Sequence, residues 1–252
     1  DARKAFDKVD HQMLFKVLDK LPVSGETRNV IKALYDNPIA TLEVNGLEAA
    51  NVYCTRGIRQ GCPLSMTLYA ISADPLAHKL CTNDNIKGIR IGGIEHKLDQ
   101  FADDVTLYLR TTDSITTVLN EYQSLYRVTG QDINTDQTEI LPLNEKSRIR
   151  LQKTAHAHML KPVIKILGLY YGESELQMNF DRLWQGVEKS VRHIKSKRLS
   201  WIGKITAIKA YIISKITYTY ANKQIPGDKL KQLERLVFGL LWSPEKLEQK
   251  SR

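Results

Sequence analysis

Hydrophobic positions recur at helical spacing in several stretches of the first part of the chain. Residues 10–21 mark one buried face of a helix, and Ser24 is placed to cap a second helix directly after it. A third helix starts with Pro63 in its first turn, and Pro75 should kink or split it. Residues 113–130 carry one further apolar stripe that ends at a glycine. The front part is therefore predicted to contain several packed helices.

Alternating and β-branched residues predict short strands between these helices. Residues 40–44 and 51–55 flank the turn signal Asn45-Gly46 and should pair as a hairpin with a longer loop. Residues 86–94 are predicted to be a glycine-interrupted strand or loop, and residues 139–143 a short strand. Helices and strands of this kind predict an α+β fold with helices on one face of a sheet.

The pattern changes after residue 143. Residues 144–148 are predicted to be a polar connector, and residues 164–172 a strand pair with a glycine turn. From Asn179 the hydrophobic spacing is helical nearly to the end, with an interruption around Pro226-Gly227. The second part is therefore predicted to be mainly helical.

Two adjacent acids stand at the tip of a further predicted hairpin. Residues 97–101 and 105–109 both have strand character, so Asp103 and Asp104 fall where the chain turns back. Adjacent carboxylates repel each other, and a cation or hydrogen bonds must neutralise them near an apolar sheet. Oxygen ligands of this kind suit Mg²⁺ or Mn²⁺. A solvated turn is the alternative, because aspartate is common in turns.

Length and composition bound the class of protein. The 252 residues, 42% of them hydrophobic, are enough for one large domain or two smaller ones. No apolar run approaches the length of a membrane span, so no membrane partner is expected, and the first residues do not resemble a secretory signal. The three cysteines show neither disulfide density nor paired metal spacing. We therefore expect an intracellular protein of the nucleus, the cytoplasm or both.

The net charge of +9 is divided unevenly along the chain. Residues 1–145 hold 15 lysines and arginines against 20 acids, a net charge of −5. Residues 146–252 hold 22 against 8, a net charge of +14. This division favours a polyanion bound by the second part and a metal bound by the first. A solvated basic surface without a partner is the alternative.

Five short blocks follow one another in the sequence: D-A-R-K-A-F-D at 1–7, R-Q-G-C-P-L-S at 59–65, F-A-D-D at 101–104, T-G with I-N at 129–130 and 133–134, and L-G at 167–168. In this order and at these spacings they resemble the reverse transcriptases of non-long-terminal-repeat (LINE-type) retrotransposons. One F-A-D-D block would be weak support, whereas five ordered blocks are specific. The resemblance covers nearly the whole chain.

This resemblance implies a right-hand polymerase palm at residues 1–172, an antiparallel sheet backed by helices, and a thumb-like basic helical region at residues 173–252. The implied activity is RNA-directed DNA polymerisation, in which deoxynucleotides are transferred onto a primer 3′-hydroxyl. The implied partners are an RNA template, a DNA primer and deoxynucleoside triphosphates. The implied cofactors are two Mg²⁺ (or Mn²⁺) ions. The oligomeric state is left open.

The resemblance also implies which acids are catalytic. Asp1 and Asp103 match the positions that hold the metal ions in the family, together with the backbone carbonyl of Ala2. Asp104 matches a position that supports these ligands. The interpretation requires Asp1 and the tip of the acidic hairpin to converge in space. The alternative for Asp1 is an exposed terminal acid.

The same matching implies a nucleotide-binding set. Phe6 stands where the family carries an aromatic ring beneath the incoming sugar, which leaves no room for a 2′-hydroxyl. Ordinary core packing is the alternative for this ring. Gln60 and Gly61 match the loop that meets nucleotide and template, where glycine permits close backbone approach. Arg59 matches a phosphate contact, with a rim arginine as the alternative.

Basic side chains of the second part are the candidate nucleic-acid contacts. Cations spaced along helices follow phosphates without reading bases. The aromatic residues of the same region, including Trp184 and Trp201, are predicted to pack in a core, with base stacking as the alternative. The candidate contacts are Lys189, Arg192, Lys195, Lys197, Arg198 and Lys204.

Two features depart from the family. Gln137 stands where such enzymes carry a lysine that protonates the leaving pyrophosphate, and an amide cannot act as a general acid. The fingers, which in the family precede the block at Asp1, are missing, and the sequence begins without methionine. We therefore expect a piece of a longer polymerase that is weak or inactive alone. The alternatives are a decayed nucleic-acid-binding remnant of such an element, and a relative of group II intron maturases or telomerase.

Overall fold

Two compact units, Asp1–Leu160 and Lys161–Arg252, make up the chain in a computed structural model. The structure describes residues 5–129 and 133–242, with the side chains of 127–129 left aside. Each unit has its own hydrophobic core. None of the described helices is long and apolar enough to cross a membrane.

The first unit alternates helices with two-stranded antiparallel hairpins. The mixed α and β composition is confirmed, but the described strands pair as separate hairpins and not as one larger sheet. The elements are a 3₁₀ turn (Phe6–Lys8), α1 (His11–Lys20), α2 (Gly25–Tyr35), β1 (Ile39–Val44), β2 (Leu47–Tyr53), α3 (Ser65–Thr82), β3 (Ile89–Ile91), β4 (Ile94–His96), β5 (Leu98–Phe101), β6 (Asp104–Leu107), α4 (Asp113–Thr129), α5 (Glu145–Gln152) and a 3₁₀ turn (Ala157–Met159).

Helix α2 begins at the predicted cap, Ser24, and helix α1 begins at a cap that the structure adds, Asp10. The Asp10 carboxylate accepts a hydrogen bond from the N–H of Met13, and the Ser24 hydroxyl accepts one from the N–H of Thr27. The predicted apolar face of α2 is only partly used. Val30 and Leu34 are 61% and 48% exposed, because the helix turns only part of its hydrophobic side towards the core.

The hairpin of β1 and β2 has a shorter turn than predicted. Only Asn45 and Gly46 connect the two strands. Both residues adopt the positive φ values, +53° and +81°, that a two-residue turn of this kind requires. The extra residue that suggested a longer loop is accommodated by an irregularity in pairing after Leu42. The glycine-interrupted segment at 86–94 likewise forms a hairpin, in which Gly92-Gly93 connects β3 to β4.

Four other expectations are corrected by the structure. Helix α3 runs through Pro75 without a break, because the buried residues on both sides of this proline pack in the core. Pro63 precedes the helix instead of lying in its first turn. The predicted strand at 139–143 is reduced to one bridge, from Ile140 to Leu160, and the polar connector is helix α5, which the Asn144 side chain caps.

The second unit is a hairpin followed by helices, as the hydrophobic pattern predicts. One face of the first long helix supplies much of its core, and a π-helical stretch, Lys209–Ile213, lies between the next two helices. The predicted strand pair is confirmed, and Leu167 and Gly168 form its turn with positive φ. The elements are β7 (Val163–Ile166), β8 (Leu169–Gly172), α6 (Glu175–Lys195), α7 (Trp201–Ile208), α8 (Ser214–Asn222) and α9 (Gly227–Trp242).

Candidate active site

The two adjacent acids lie at the tip of the hairpin formed by β5 and β6. Phe101 pairs with Asp104, so the turn contains only Ala102 and Asp103. Ala102 adopts a φ of +53°, an uncommon conformation for a residue with a Cβ, and its carbonyl accepts a hydrogen bond from the Gln100 side chain at 3.0 Å. Asp103 is half-buried and Asp104 is exposed. The turn thus holds two carboxylates beside each other at one end of a short ribbon.

Neither carboxylate is neutralised by the part of the protein that the structure describes. No lysine or arginine within residues 5–129 or 133–242 forms an ion pair with Asp103 or Asp104. By contrast, Asp99 in the same hairpin accepts a hydrogen bond of 2.9 Å from the hydroxyl of Tyr108. Two oxygen-only ligands suit Mg²⁺ or Mn²⁺, which commonly bind one or two carboxylates plus substrate phosphates. Among the described residues, no group of three or more His, Cys, Asp or Glu converges.

An aromatic pair links the first sequence block to this hairpin. The ring of Phe6, in the 3₁₀ turn, stacks on the ring of Tyr69 in α3, with 4.7 Å between centroids and 22° between planes. Tyr69 is buried, and burial raises the pKa of its phenol; the negative charge of Asp103 raises this pKa further. Phe6, Tyr69 and Asp103 therefore lie in one neighbourhood, although they are far apart in sequence.

Asp1 and Ala2, the other predicted metal ligands, lie outside the described residues, and so does Gly130 of the fourth block. The predicted convergence of Asp1 with the hairpin therefore stays a prediction. Phe6 is the residue of the first block that the structure connects to Asp103, through Tyr69.

The loop that precedes α3 is attached to the segment around the 3₁₀ turn. The N–H groups of Gly57 and Ile58 donate hydrogen bonds to the carbonyls of Val9 (2.8 Å) and Phe6 (2.9 Å). The buried His11 side chain makes a further hydrogen bond, 2.7 Å long, with the carbonyl of Gly57. These contacts hold the second block beside the first.

Gly57 permits this close approach. Its φ is +87°, and a Cβ at this position would come 2.9 Å from the carbonyl oxygen of Asp7. Any larger residue would push the loop away from the 3₁₀ turn. Nothing in the local sequence pattern distinguishes Gly57 from other loop glycines, so its role is visible only in the structure.

The predicted nucleotide-binding residues of this loop are at its surface. Arg59, Gln60 and Gly61 are exposed, and Gly61 has a φ of +84° with open space around its α-carbon. The Ser65 hydroxyl donates a 2.5 Å hydrogen bond to the carbonyl of Arg59, which ties the loop to the first residue of α3. Residues 59–61 are therefore accessible to solvent, while the hydrogen bond from Ser65 holds the loop in place.

Gln137 lies in a turn that follows the fourth block. Its side-chain oxygen accepts a hydrogen bond from the Asn134 amide, and its N–H donates one to the carbonyl of Asn134 at 3.1 Å. The Thr138 hydroxyl also donates to that carbonyl, at 2.8 Å. The Gln137 side chain therefore stabilises this turn through its hydrogen bond with Asn134.

The predicted nucleic-acid contacts all lie in the second unit. Lys189, Arg192 and Lys195 are exposed on α6, while Lys204 is half-buried in α7. Lys197 and Arg198 are exposed in the connection between the two helices. The cations of α6 occupy the side of this helix opposite its buried residues, which include Val187, Val191 and Ile194.

One part of the predicted thumb core is wrong. Trp184 packs in the hydrophobic cluster, with its ring 6.0 Å from that of Phe180. Trp201, however, is 52% exposed and contacts the ring of Trp242. Helical spacing placed both indoles on apolar positions, but α7 is short and only its C-terminal end, at Ile208, is buried.

Residues 1–171 match the family described as reverse transcriptase (RNA-dependent DNA polymerase). The chain is 23% identical, over 94% of its length, to a retrovirus-related Pol polyprotein from type-1 retrotransposable element R2 of Popillia japonica, of which it covers 34%. It is 26% identical, over 96% of its length, to the transposon TX1 uncharacterized 149 kDa protein of Xenopus laevis, of which it covers 19%. A Nasonia vitripennis R2 polyprotein is 31% identical over 49% of the chain, which covers 12% of that polyprotein.

The chain thus spans about a third or less of the length of these curated relatives. Their names confirm the predicted resemblance to retrotransposon proteins of the LINE type. Because the family match spans more than half of the chain and includes the aromatic pair and the acidic hairpin, the chain belongs to the reverse transcriptase (RNA-dependent DNA polymerase) family.

Proposed function

We propose that this chain is the polymerase part of a retrotransposon polyprotein and transfers deoxynucleotides onto a primer 3′-hydroxyl along an RNA template. In this proposal, residues 1–172 are the palm and residues 173–252 the thumb. The observation that carries it is the neighbourhood of Phe6, Tyr69 and Asp103, which joins two of the family's sequence blocks. Asp103 is half-buried at the tip of its hairpin, and its negative charge contributes to the raised pKa of the buried Tyr69 in another element.

Asp1, Asp103 and the backbone carbonyl of Ala2 are the proposed ligands of two Mg²⁺ (or Mn²⁺) ions, and Asp104 is the proposed supporting carboxylate. Such ions, when bound, neutralise the charge of the triphosphate and activate the 3′-hydroxyl. The half-buried Asp103, which has no cationic partner among the described residues, has the character that such a site needs. The turn around Ala102 presents this carboxylate at the tip of the ribbon.

Phe6 is the proposed selector of deoxynucleotides. Its ring is half-buried and is supported from one side by Tyr69, so it cannot move away from a ribose without breaking the stack. The Tyr69 phenol is neutral at physiological pH, and burial raises its pKa further, so this support adds no second negative charge beside Asp103. Replacing Phe6 with valine should increase the incorporation of ribonucleotides relative to deoxynucleotides.

The loop at residues 59–61 is the proposed contact for the incoming nucleotide. Arg59 would approach a phosphate, while Gln60 and Gly61 would contact the nucleotide and the template. The hydrogen bonds from Gly57 and Ile58 to the Phe6 segment support this assignment, since they make the loop and the proposed sugar selector one connected unit. The exposed cations Lys189, Arg192, Lys195, Lys197 and Arg198, together with Lys204, are the proposed phosphate contacts for primer and template.

The test is metal-dependent extension of a primer on an RNA template, measured for this chain and for a longer protein that carries it. Asp103→Asn should reduce incorporation by about 10³-fold or more, because metal stabilisation is worth several kcal/mol. Asp99→Asn, in the same hairpin, is the matched control and should retain activity. Extension by Asp103→Asn at the parental rate would refute the proposal.

A second candidate function, a nucleic-acid-binding remnant, is favoured by Gln137. This side chain has no proton to give at neutral pH and is engaged by Asn134. Gln137→Lys should raise the incorporation rate by about 10²-fold or more if only the general acid is lost. If neither protein extends a primer while both still bind RNA, the remnant is supported instead.

A further inference from the structure

A long stretch of the second unit contains cations and no acids. Between Glu188 and Asp228 the sequence has nine lysines and arginines and not one aspartate or glutamate. This stretch runs from the second half of α6, through α7 and α8, to the connection before α9. An uninterrupted positive region of this length attracts a polyanion and disfavours a partner that is itself basic.

An exposed pair of indole rings lies within this unit. Trp201 is the first residue of α7 and Trp242 the last residue of α9. Their rings meet edge to face, with 5.1 Å between centroids and 72° between planes. Trp201 is 52% and Trp242 67% exposed, and neither belongs to the hydrophobic cluster that holds Trp184.

The contact between the two rings restrains both without burying either. Ser200 caps α7 by accepting a hydrogen bond from the N–H of Gly203 at 3.2 Å, which fixes the backbone under Trp201. The neighbouring Ile202 is 78% exposed, so the start of α7 presents apolar surface to solvent. Large apolar patches on a protein surface usually mark an interaction site.

Cations lie directly beside this surface along the chain. Lys197 and Arg198 are exposed in the connection that leads into α7, three to four residues before Trp201. Exposed aromatic rings next to cations are the combination that binds single-stranded nucleic acid, because every base has a face that stacks and every nucleotide has a phosphate.

We propose that Trp201 and Trp242 form a stacking platform for an unpaired base of single-stranded nucleic acid, whose phosphates contact Lys197 and Arg198. The inference rests on the proposed function in taking a nucleic acid as ligand. It goes beyond that function because it assigns a site for an unpaired strand. This site binds by stacking on a base, whereas the proposed primer–template contacts bind phosphates of a duplex. Base identity is not read, since stacking tolerates all four bases.

A second copy of this chain that docks through the same surface fits less well. It would bring another nine cations of the same stretch towards the first set, with no acid of that stretch to offset them. Nucleic acid supplies both the missing negative charge and an aromatic face. Self-association through Trp201 is the alternative to nucleic-acid binding that the experiment must distinguish.

The test measures the affinity of the full chain for a fluorescent single-stranded oligouridylate and for a blunt RNA duplex of equal strand length. Trp201→Ala should weaken single-strand binding by about 5- to 150-fold, which corresponds to the loss of one stacked base. Duplex binding should change by less than about twofold. Trp201→Tyr should restore most of the single-strand affinity, since a smaller aromatic ring still stacks.

Salt dependence separates stacking from charge. Trp201→Ala should leave the slope of log affinity against log salt unchanged, whereas Lys197→Ala should reduce it by about 0.7 for a single strand. Tyr53→Ala is the matched control, because Tyr53 is 69% exposed on β2 of the other unit, in a hairpin with two acids and no cation. It should bind like the parent.

The inference is overturned if Trp201→Ala and Tyr53→Ala bind single strands equally well. It is also overturned if Trp201→Ala weakens duplex and single strand alike, or changes only the oligomeric state in sedimentation. Circular dichroism melting of Trp201→Ala checks that a loss of binding is not a loss of fold. Primer extension is measured separately, so a chain that binds single strands through Trp201 but never extends a primer fails the proposed function and retains the platform.

Discussion

At the scale of single residues, Tyr69 joins two parts of the proposed site. Its ring stacks on that of Phe6, and the negative charge of Asp103 contributes to its raised pKa. The spacing of Phe6, Tyr69 and Asp103 along the chain does not predict that they lie close together. The helical pattern predicted only that Tyr69 belongs to α3. Because Tyr69 contacts Phe6 directly, it is a positioning residue for this ring, and its effects should appear in selectivity as well as in stability.

Tyr69→Leu and Tyr69→Phe separate these effects. Leucine removes the stack, so the free energy of unfolding should fall by about 1–3 kcal/mol, and discrimination against ribonucleotides should weaken because Phe6 loses its support. Phenylalanine keeps the stack and should preserve both properties. Urea unfolding and the ratio of ribonucleotide to deoxynucleotide incorporation provide the two measurements. Equal selectivity in both variants would contradict the supporting role.

The buried Tyr69 and the half-buried Tyr122 should make the protein sensitive to alkali. Burial raises the pKa of Tyr69 above its usual value of 10.0 and that of Tyr122 to about 12. Above pH 10 the unfolded chain loses these protons while the folded chain retains them, so stability falls as pH rises, by about 1.4 kcal/mol per pH unit for each tyrosine. Urea unfolding above pH 10 should show this slope, and Tyr122→Phe should flatten it. A slope that is the same in Tyr122→Phe and the parent would exclude Tyr122 as a contributor.

At the scale of elements, the proposed site is assembled from a 3₁₀ turn, a loop and a hairpin held against α3. The loop depends on hydrogen bonds from Gly57 and Ile58 to the segment around Phe6. The hairpin depends on the two-residue turn Ala102-Asp103, which places both acids at its tip. These contacts join backbone groups, so they are sensitive to backbone conformation more than to side-chain identity.

Gly57→Ala and Gly61→Ala form a matched pair in one loop, because both glycines have φ near +85°. At Gly57 a new Cβ would also meet the carbonyl of Asp7 at 2.9 Å, so this change should cost more than the roughly 1–2 kcal/mol that left-handed backbone alone costs. Gly61 is surrounded by open space, so Gly61→Ala should cost only that strain while reducing nucleotide incorporation. Urea midpoints and primer extension measure the two effects. A larger loss of stability in Gly61→Ala would contradict this assignment.

At the scale of the whole molecule, charge is divided between the two ends of the sequence. The acidic first part contains the proposed metal site, and the basic second part contains the proposed phosphate contacts. The cations of α6 lie opposite its buried face, so the helix stabilises its unit through one side and is free to bind through the other. Such binding is governed by the release of counterions from the nucleic acid.

Replacing Lys189, Arg192 and Lys195 with glutamine should therefore lower affinity for a primer–template duplex and flatten its salt dependence. The slope of log affinity against log salt should fall by about 0.9 for each lost phosphate contact. Glutamine at the exposed Lys16 and Lys20 of α1 is the control and should leave the slope unchanged. Binding titrations at several salt concentrations measure it. An unchanged slope in the triple variant would place the phosphate contacts elsewhere.

Local chemistry alone accounts for much of what was predicted correctly. The cap at Ser24, the position of the Asn45-Gly46 turn and the acidic hairpin are each decided by interactions over a few residues. The errors arise where packing overrides local preference. Pro75 did not end α3 because the helix is buried on both sides of it, and Trp201 is exposed because only part of α7 reaches the core.

The sequence by itself determined the family, the order of the blocks, the division of charge and most of the turns, because each is a property of residue types at short or fixed separations. Only the tertiary structure decided that Phe6 stacks on Tyr69, that Gly57 lies against Asp7, and that two indoles meet in the open. Each of these contacts joins residues tens of positions apart in the chain. No local sequence pattern predicts these contacts, because they depend on how whole elements pack against each other.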